Sequence, residues 1–150
     1  MAYIGGKAPE GCVFCVKPAE EDDDRNHILY RGESCFVILN AFPYNSGHLM
    51  VIPYRHLSDL CDLSDAERQE MMQLAGRATE GLTRILGAEG YNVGMNLGRI
   101  AGAGIADHLH LHVVPRWNGD TNFMPVLADI KVLPEALEDT YRRLKAVFSD

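Results

Sequence analysis

Short apolar runs alternate along the chain with longer stretches that have a helical period. Five of the runs are rich in β-branched or aromatic residues and lie between glycine, proline or charged residues, which is typical of strands. Gly32 and Glu33 separate the first two runs and indicate a hairpin. The five predicted strands span residues 27–32, 35–40, 48–54, 91–97 and 108–117.

The stretch between the third and fourth predicted strands carries helix signals. Ser64 with Glu67 three residues later forms a capping box, and Gly87 ends the segment. A second helix is predicted to begin near Pro134, at a first-turn position, and to run through LEDTYRRLKAVF. These elements predict one α+β domain over residues 1–150, with a mainly antiparallel five-stranded sheet, one long helix and a C-terminal helix. The apolar face of the long helix is expected to consist of Met71, Leu74, Ala75, Ala78, Leu82 and Ile85.

Length and charge narrow the class of protein. No apolar run approaches the roughly 20 residues of a membrane span, and no secretory signal pattern is present, so we expect a cytoplasmic protein without a membrane partner. A net charge of −7 without a run of Lys or Arg argues against nucleic-acid binding. The acidic run 20–24 is predicted to be a solvated loop. Two of the four cysteines, Cys35 and Cys61, are expected to be buried as small apolar residues.

Three histidines alternate with apolar residues in the fifth predicted strand. In HLHLHVV, His108, His110 and His112 occupy every second position. Because side chains alternate between the faces of a strand, the histidines share one face and the intervening apolar residues point to the core. Neutral imidazoles are poor core material, so a row of three indicates metal binding or phosphoryl chemistry.

A glycine-rich segment, NLGRIAGAGIADH, precedes the histidine row. It leads into a strand, whereas a dinucleotide-binding fingerprint leads into a helix, so a Rossmann-type site is excluded. Glycines can still bring backbone N–H groups close to a phosphate, because no Cβ obstructs the approach. Gly102 and Gly104 are therefore candidate phosphate-binding positions.

Several motifs, in this order, resemble the histidine triad, or HIT, superfamily of nucleotide-binding hydrolases and transferases. The resemblance runs from CVFC through FVILN and GHLMVIPYRH to HLHLHVV, over residues 12 to 117. The next stretch, PRWNGDTNFMP, is similar to the bacterial branch that includes diadenosine tetraphosphate phosphorylases. The resemblance implies a HIT-like fold, a nucleotide substrate, no organic cofactor and a homodimer.

The resemblance also implies a covalent mechanism. His110 matches the histidine that attacks the α-phosphorus of a nucleotide, and a neutral imidazole is a competent nucleophile near pH 7. His112 and His48 match positions that contact the phosphates, where they could stabilise developing charge or assist the leaving group. The implied substrate is a nucleotide polyphosphate such as a diadenosine polyphosphate.

Other substrate contacts are implied residue by residue. Asn40 matches the polar residue that hydrogen-bonds the ribose. Gly104 and Ile105 fall where many family members have Gln followed by Ser or Thr, so a phosphate contact there must come from backbone N–H groups. Leu97 replaces an amide residue of relatives, although Asn96 is adjacent.

The residues after the triad bear on the second half of the substrate. Arg116 by charge and Trp117 by stacking could reach a polyphosphate or a second nucleoside. The acceptor stays open between water and inorganic phosphate. Some family phosphorylases have Gln in place of the third triad histidine, whereas His112 is retained here, but the PRWNGDTNFMP segment favours the phosphorylase branch.

CVFC resembles half of a zinc site, and a closed structural zinc site takes four N or S ligands. By resemblance to zinc-containing family members, Cys12 and Cys15 would be joined by His56 and His108, and the metal would be structural. The alternative is a pair of free reduced thiols. A non-catalytic nucleotide-binding module also stays open. A protein whose histidines are all zinc ligands is disfavoured, because the chain offers more ligands than one tetrahedral site uses.

Overall fold

The computed structural model describes residues 11–120 and 135–148 and contains one antiparallel sheet packed against helices. Neighbouring strands are antiparallel, in the order β1-β2-β3-β5-β4. The predicted α+β class with a long helix and a C-terminal helix is confirmed. The strands in these residues are β1 (Ile28–Arg31), β2 (Cys35–Leu39), β3 (Leu49–Pro53), β4 (Gly90–Gly94) and β5 (Leu111–Arg116). The α-helices there are α1 (Val13–Ala19), α2 (Asp23–Asn26), α3 (Asp65–Leu86) and α4 (Leu137–Phe148).

Helix α3 begins and ends at the predicted residues. The Ser64 hydroxyl accepts the Glu67 N–H at 3.2 Å, and the Glu67 carboxylate accepts the Ser64 N–H at 2.8 Å, which completes the capping box. Gly87 ends the helix with a φ of 63°, a left-handed conformation that favours glycine. Ile85 is partly buried against the same core as the rest of the predicted apolar face. The buried members of that face are Met71, Leu74, Ala75, Ala78 and Leu82.

The sheet carries a core on each face. The helix-side core joins the sheet to α3 and α4, and it includes Leu109, Leu111 and Val113. These three residues therefore point to the core as predicted. The opposite face, here called the triad face, carries a smaller core beneath α1. Its buried members are Phe14, Ile28, Phe36, Ile38, Met50 and Ile52.

The fifth strand is shorter than predicted. It begins at Leu111, so His108 and His110 precede it. The Leu109 N–H donates to the Leu57 carbonyl at 2.7 Å rather than to β3, because this part of the chain pairs with the segment that follows β3. Strand β4 likewise ends at Gly94, before the predicted boundary at residue 97.

Two smaller predictions were wrong. The acidic run is not wholly a loop, since Asp22 caps the short helix α2 and Asp23 pairs with Arg31 at 2.9 Å. Cys61 is exposed, because it lies in a 3-10 turn at the surface, whereas Cys35 is buried as expected. Pro134 lies outside the described residues. No helix within 11–120 and 135–148 is long and apolar enough to cross a membrane.

Candidate active site and metal centre

The histidine row lies on the triad face beneath helix α1. The Phe14 ring contacts the His108 ring at 5.6 Å and the His110 ring at 5.1 Å between centroids. His108 and His110 are only 0% and 6% exposed, whereas His112 is half-buried. The row is thus largely enclosed rather than open along a surface, because α1 covers its first two members.

One backbone carbonyl fixes the protonation of His110. Its Nδ1 lies 2.8 Å from the carbonyl oxygen of His108. A carbonyl only accepts hydrogen bonds, so Nδ1 of His110 must carry the proton. Nε2 of the neutral ring therefore keeps its lone pair and can act as a nucleophile.

A second backbone group fixes His48 and, through it, His112. The Tyr44 N–H donates to Nδ1 of His48 at 3.0 Å, so the neutral His48 ring carries its proton on Nε2. That Nε2 lies 2.9 Å from Nδ1 of His112 and donates to it. His112 must then carry its own proton on Nε2. Because the His110 and His112 rings are 4.8 Å apart, an N–H donor stands beside the nucleophile.

Burial keeps two of these rings neutral. Burial, together with a smaller contribution from the neighbouring His110, lowers the pKa of His112 to about 4. Burial also lowers the pKa of His108 to about 4, although a hydrogen bond to the Pro53 carbonyl opposes this. Both rings are therefore neutral at pH 7, each with one donor and one acceptor nitrogen.

The four predicted metal ligands meet at one end of the histidine row. Ligand atoms of Cys12, Cys15, His56 and His108 all lie within 4.8 Å of one another. Nε2 of His108 donates to the Pro53 carbonyl at 2.9 Å, which leaves Nδ1 unprotonated. That Nδ1 lies 3.3 Å from Sγ of Cys12 and 3.5 Å from Sγ of Cys15, and Nδ1 of His56 lies 3.5 Å from Sγ of Cys15.

These spacings fit a tetrahedral metal ion. With Zn–S bonds of roughly 2.3 Å and Zn–N bonds of roughly 2.0–2.1 Å, a tetrahedron separates sulfur from nitrogen by about 3.6 Å. The three sulfur–nitrogen distances of 3.3, 3.5 and 3.5 Å are close to this edge length. Two cysteines and two histidines are also a donor set of closed structural zinc sites. The cluster can therefore hold a metal ion that ties α1 to the chain around the triad.

Asn40, which matches the ribose-binding position of the family, lies beside His48. Its Oδ1 accepts the Phe42 N–H at 2.9 Å, which makes it a turn residue after β2. Its amide nitrogen lies 3.4 Å from Nδ1 of His48. The turn role and a position at the site are thus compatible.

The glycine-rich segment forms a 3-10 turn over Arg99–Ala101 that ends at Gly102. Gly102 has a φ of 85°, which side chains disfavour. A Cβ built on Gly104 meets no described atom within 4 Å, so packing does not require glycine there. Ile105 packs against the triad-face core, and Asn96 is half-buried. Phosphate contacts by this segment stay a prediction.

Arg116 and Trp117, which the sequence suggested could reach a polyphosphate or a second nucleoside, both have partners within the protein. The Arg116 guanidinium forms a two-pronged pair with the Asp120 carboxylate and donates to Asn92 at 2.7 Å. The Trp117 indole N–H donates to the Leu86 carbonyl at 3.2 Å, and its ring packs against the helix-side core. Trp117 therefore packs on the side of the sheet away from the histidines, which does not support stacking on a nucleotide at the triad.

The loop between β2 and β3 holds residues that sequence reasoning missed. The Tyr44 ring lies 4.7 Å from the His48 ring and 6.0 Å from the His112 ring. The Asn45 amide donates to the Asp120 carboxylate and to the Pro115 carbonyl, both at 3.0 Å. The sequence signal that could have identified Tyr44 is the presence of an aromatic residue in the short segment before His48.

Such a sheet, with alternating histidines beside a Cys/His cluster, defines a histidine triad protein. The HIT domain family model matches residues 21–119, and the chain belongs to this family. The chain is 46% identical over 122 residues to the AP-4-A phosphorylase of Mycobacterium tuberculosis strain H37Rv. That alignment covers 81% of this chain but 63% of the relative, so the chain spans less than two thirds of the relative's length.

Two further relatives are similar over most of both chains. The adenosine 5'-monophosphoramidase of Schizosaccharomyces pombe is 32% identical over 118 residues, which cover 79% of this chain and 77% of that protein. The crystal structure of a Zn-bound histidine triad family protein from Mycobacterium smegmatis superposes with a TM-score of 0.74 at 30% identity. That superposition covers 93% of this chain and 94% of that chain.

Proposed function

We propose that this chain is a nucleotidyl hydrolase or transferase that acts on the α-phosphate of a nucleotide polyphosphate, such as a diadenosine polyphosphate. The observation that carries the proposal is the unprotonated Nε2 of His110 beside the Nε2–H of His112, which follows from the hydrogen bonds. One nitrogen can attack while the other stabilises charge. Similarity to an AP-4-A phosphorylase supports the substrate class.

In the first step, Nε2 of His110 attacks the α-phosphorus and forms an N–P bond. The bond between the α-phosphorus and the bridging oxygen breaks, and that oxygen leaves with the electron pair. His112 donates a hydrogen bond from Nε2 to the leaving or equatorial oxygens, because its Nδ1 is occupied by His48. For a diadenosine polyphosphate, AMP stays on His110 and the remaining nucleotide departs.

In the second step, an acceptor oxygen attacks the same phosphorus and releases His110. Water yields AMP, and inorganic phosphate yields ADP. Covalent catalysis divides one phosphoryl displacement into two easier ones, so both acceptors share the first step. The two acceptors are distinguished by the product formed when phosphate is added.

The Cys12, Cys15, His56 and His108 cluster is proposed to bind one structural zinc ion. Bound zinc would tie the N-terminal helix to the triad and anchor His108, whose carbonyl oxygen orients His110. The metal supplies position rather than chemistry.

A nucleoside phosphoramidate hydrolase is the second candidate, favoured by the similarity to an adenosine 5'-monophosphoramidase. It would use the same attack by His110 on the same α-phosphorus. The P–N bond would break, and the nitrogen would depart as the amine with the proton from Nε2 of His112. In the second step the attacking water would return a proton to His112. Parallel assays with diadenosine tetraphosphate and adenosine 5'-phosphoramidate separate the two candidates.

The test of the proposed function is to trap the adduct. Denaturing the enzyme during turnover of a substrate labelled at the α-phosphate should leave acid-labile label on the protein. His110→Ala should lose both the label and turnover by at least about 1,000-fold. His27→Asn serves as the control, because His27 lies outside the triad and has a φ of 57° that asparagine tolerates. Label that persists in His110→Ala would assign the nucleophile to another residue, and no label with any substrate would favour a binding module.

The acceptor is decided by the second product. We expect millimolar phosphate to shift the product from AMP to ADP. If ADP does not rise above the phosphate-free control, the enzyme is a hydrolase or phosphoramidase rather than a phosphorylase.

A further inference from the structure

The β2–β3 loop presents an aromatic ring at the triad that the mechanism above does not use. Tyr44 is 59% exposed, yet its ring lies 4.7 Å from the ring of His48, which is 0% exposed. One part of the phenol ring therefore covers His48 while the rest is open to solvent. An exposed aromatic ring beside a buried catalytic pair is available to a ligand.

This ring lies on the His112 side of the site. His112 lies beside His110 and carries an N–H on Nε2, and the Tyr44 ring is 6.0 Å from the His112 ring. A group that departs from the α-phosphate toward His112 therefore moves toward Tyr44. Arg116 and Trp117, which the sequence suggested could reach a polyphosphate or a second nucleoside, both have hydrogen-bond partners within the protein.

The loop also holds Tyr44 in a fixed orientation. The backbone N–H of Tyr44 donates to His48, and the preceding Pro43 is buried. The following Asn45 donates to the Asp120 carboxylate and to the Pro115 carbonyl. A ring already ordered before binding loses little conformational freedom when a ligand stacks on it, so it can contribute affinity.

We propose that Tyr44 forms the subsite for the nucleobase of the departing nucleotide, which stacks on the exposed face of the phenol ring. The chemical class is a planar aromatic base joined to the reacting phosphate through a polyphosphate. This inference rests on the proposed function, since it assigns the second half of that substrate. Stacking tolerates different bases, because every base has a π-face.

The test compares two substrates that share the AMP half and differ in the leaving group. Diadenosine tetraphosphate releases a nucleotide, and adenosine 5'-phosphoramidate releases only ammonia. The readout is the ratio of kcat/KM for the first substrate to kcat/KM for the second. Tyr44→Ala should lower this ratio about tenfold, mainly through KM, as expected for the loss of one stacked base.

Two control variants separate stacking from other effects. Tyr44→Phe keeps the ring and should keep the ratio within about twofold of the wild type. Phe42→Ala removes a more exposed aromatic residue, 84% exposed, from the same loop and should also keep the ratio. A tenfold fall in Phe42→Ala, or an unchanged ratio in Tyr44→Ala, would overturn the assignment to Tyr44.

A binding measurement keeps the inference separate from the catalytic proposal. In a His110→Ala background, calorimetry should show that Tyr44→Ala weakens diadenosine tetraphosphate binding about tenfold more than AMP binding. If this difference in binding is found but the wild type shows no turnover, the proposed function is rejected and the assignment of the subsite stands. Equal weakening for both ligands would reject the subsite even if the enzyme is active.

Discussion

Removing the charge of Glu67 tests whether one buried carboxylate holds the start of helix α3 to the segment after β3, which carries the candidate metal ligand His56. The side chain of Glu67 is 5% exposed, and its carboxylate accepts Arg55 hydrogen bonds at 2.8 Å and 2.6 Å. It also accepts the Ser64 N–H as part of the capping box. Arg55 directly precedes His56, so Glu67→Gln disturbs both the helix start and a predicted metal ligand.

The structure sets the expected size of the effect. Hydrogen bonding to Arg55 lowers the pKa of Glu67 from 4.5 to about 2, while burial opposes the change. At 1.36 kcal/mol per pKa unit, this corresponds to roughly 3 kcal/mol. The Arg55 side chain is 46% exposed, so solvent screens part of the interaction. We therefore expect Glu67→Gln to lower the free energy of unfolding by about 2 kcal/mol, or Tm by about 4–8 °C.

The effect should depend on pH in a defined direction. Because the pKa of Glu67 is lowered in the folded state, its stabilisation is fully present above pH 4.5 and is lost as the pH falls toward 2. The difference in unfolding free energy between wild type and Glu67→Gln should fall to less than half its pH 7 value by about pH 3.

Urea denaturation at pH 7 and pH 3 measures both quantities. Glu80→Gln is the matched control, because it removes an exposed carboxylate from the same helix and should change stability by less than about 0.5 kcal/mol. A loss below that limit in Glu67→Gln, or a loss equal at both pH values, would refute the reasoning.

Three further predictions can be tested directly. Elemental analysis of untagged protein should find about one zinc per chain. The Cys15→Ser variant should lose the zinc, whereas the control Cys61→Ser, at an exposed cysteine, should retain it. A wild-type protein that is fully folded without zinc would contradict the site. Between pH 5.5 and 8, the dependence of kcat on pH should show no limb caused by His112, since the pKa of its ring is lowered to about 4 and the ring protonates only as the pH falls through that value. An acid limb near 6.5 that disappears in His112→Asn would contradict this. Sedimentation should show a species of twice 16.6 kDa, as the family resemblance implies, and a chain that stays at 16.6 kDa would reject the homodimer.

Local patterns predicted most of the fold, because they are read within a few residues. The capping box of Ser64 and Glu67 and the helix-ending glycine at 87 are short-range features, and the structure has both. The partner of Glu67 was not predictable in the same way. Arg55 belongs to the segment after β3, and only the packing of α3 against the sheet brings it to the carboxylate.

In the candidate site, too, the sequence predicted the features that depend on local patterns but not those that depend on long-range packing. Alternation placed the three histidines on one face, and family motifs brought Cys12 and Cys15 together with two histidines, as the structure has them. The fifth strand was predicted too long, since alternation continues through His108 although strand pairing with β3 does not. Trp117 was suggested as a residue that could stack on a second nucleoside, and the sequence did not show that its ring packs against the helix-side core, because that contact depends on long-range packing.

The protonation pattern of the histidines depends on groups that no motif reveals. Each assignment starts from a backbone group that can only donate or only accept: the His108 carbonyl for His110, the Tyr44 N–H for His48, and the Pro53 carbonyl for His108. The row thus presents different unprotonated atoms from chemically identical rings, Nε2 at His110 and Nδ1 at His108. His108 therefore faces the two cysteines of the candidate metal site, while Nε2 of His110, two residues away, is available for the proposed attack, and the fold rather than the residue type separates the two roles.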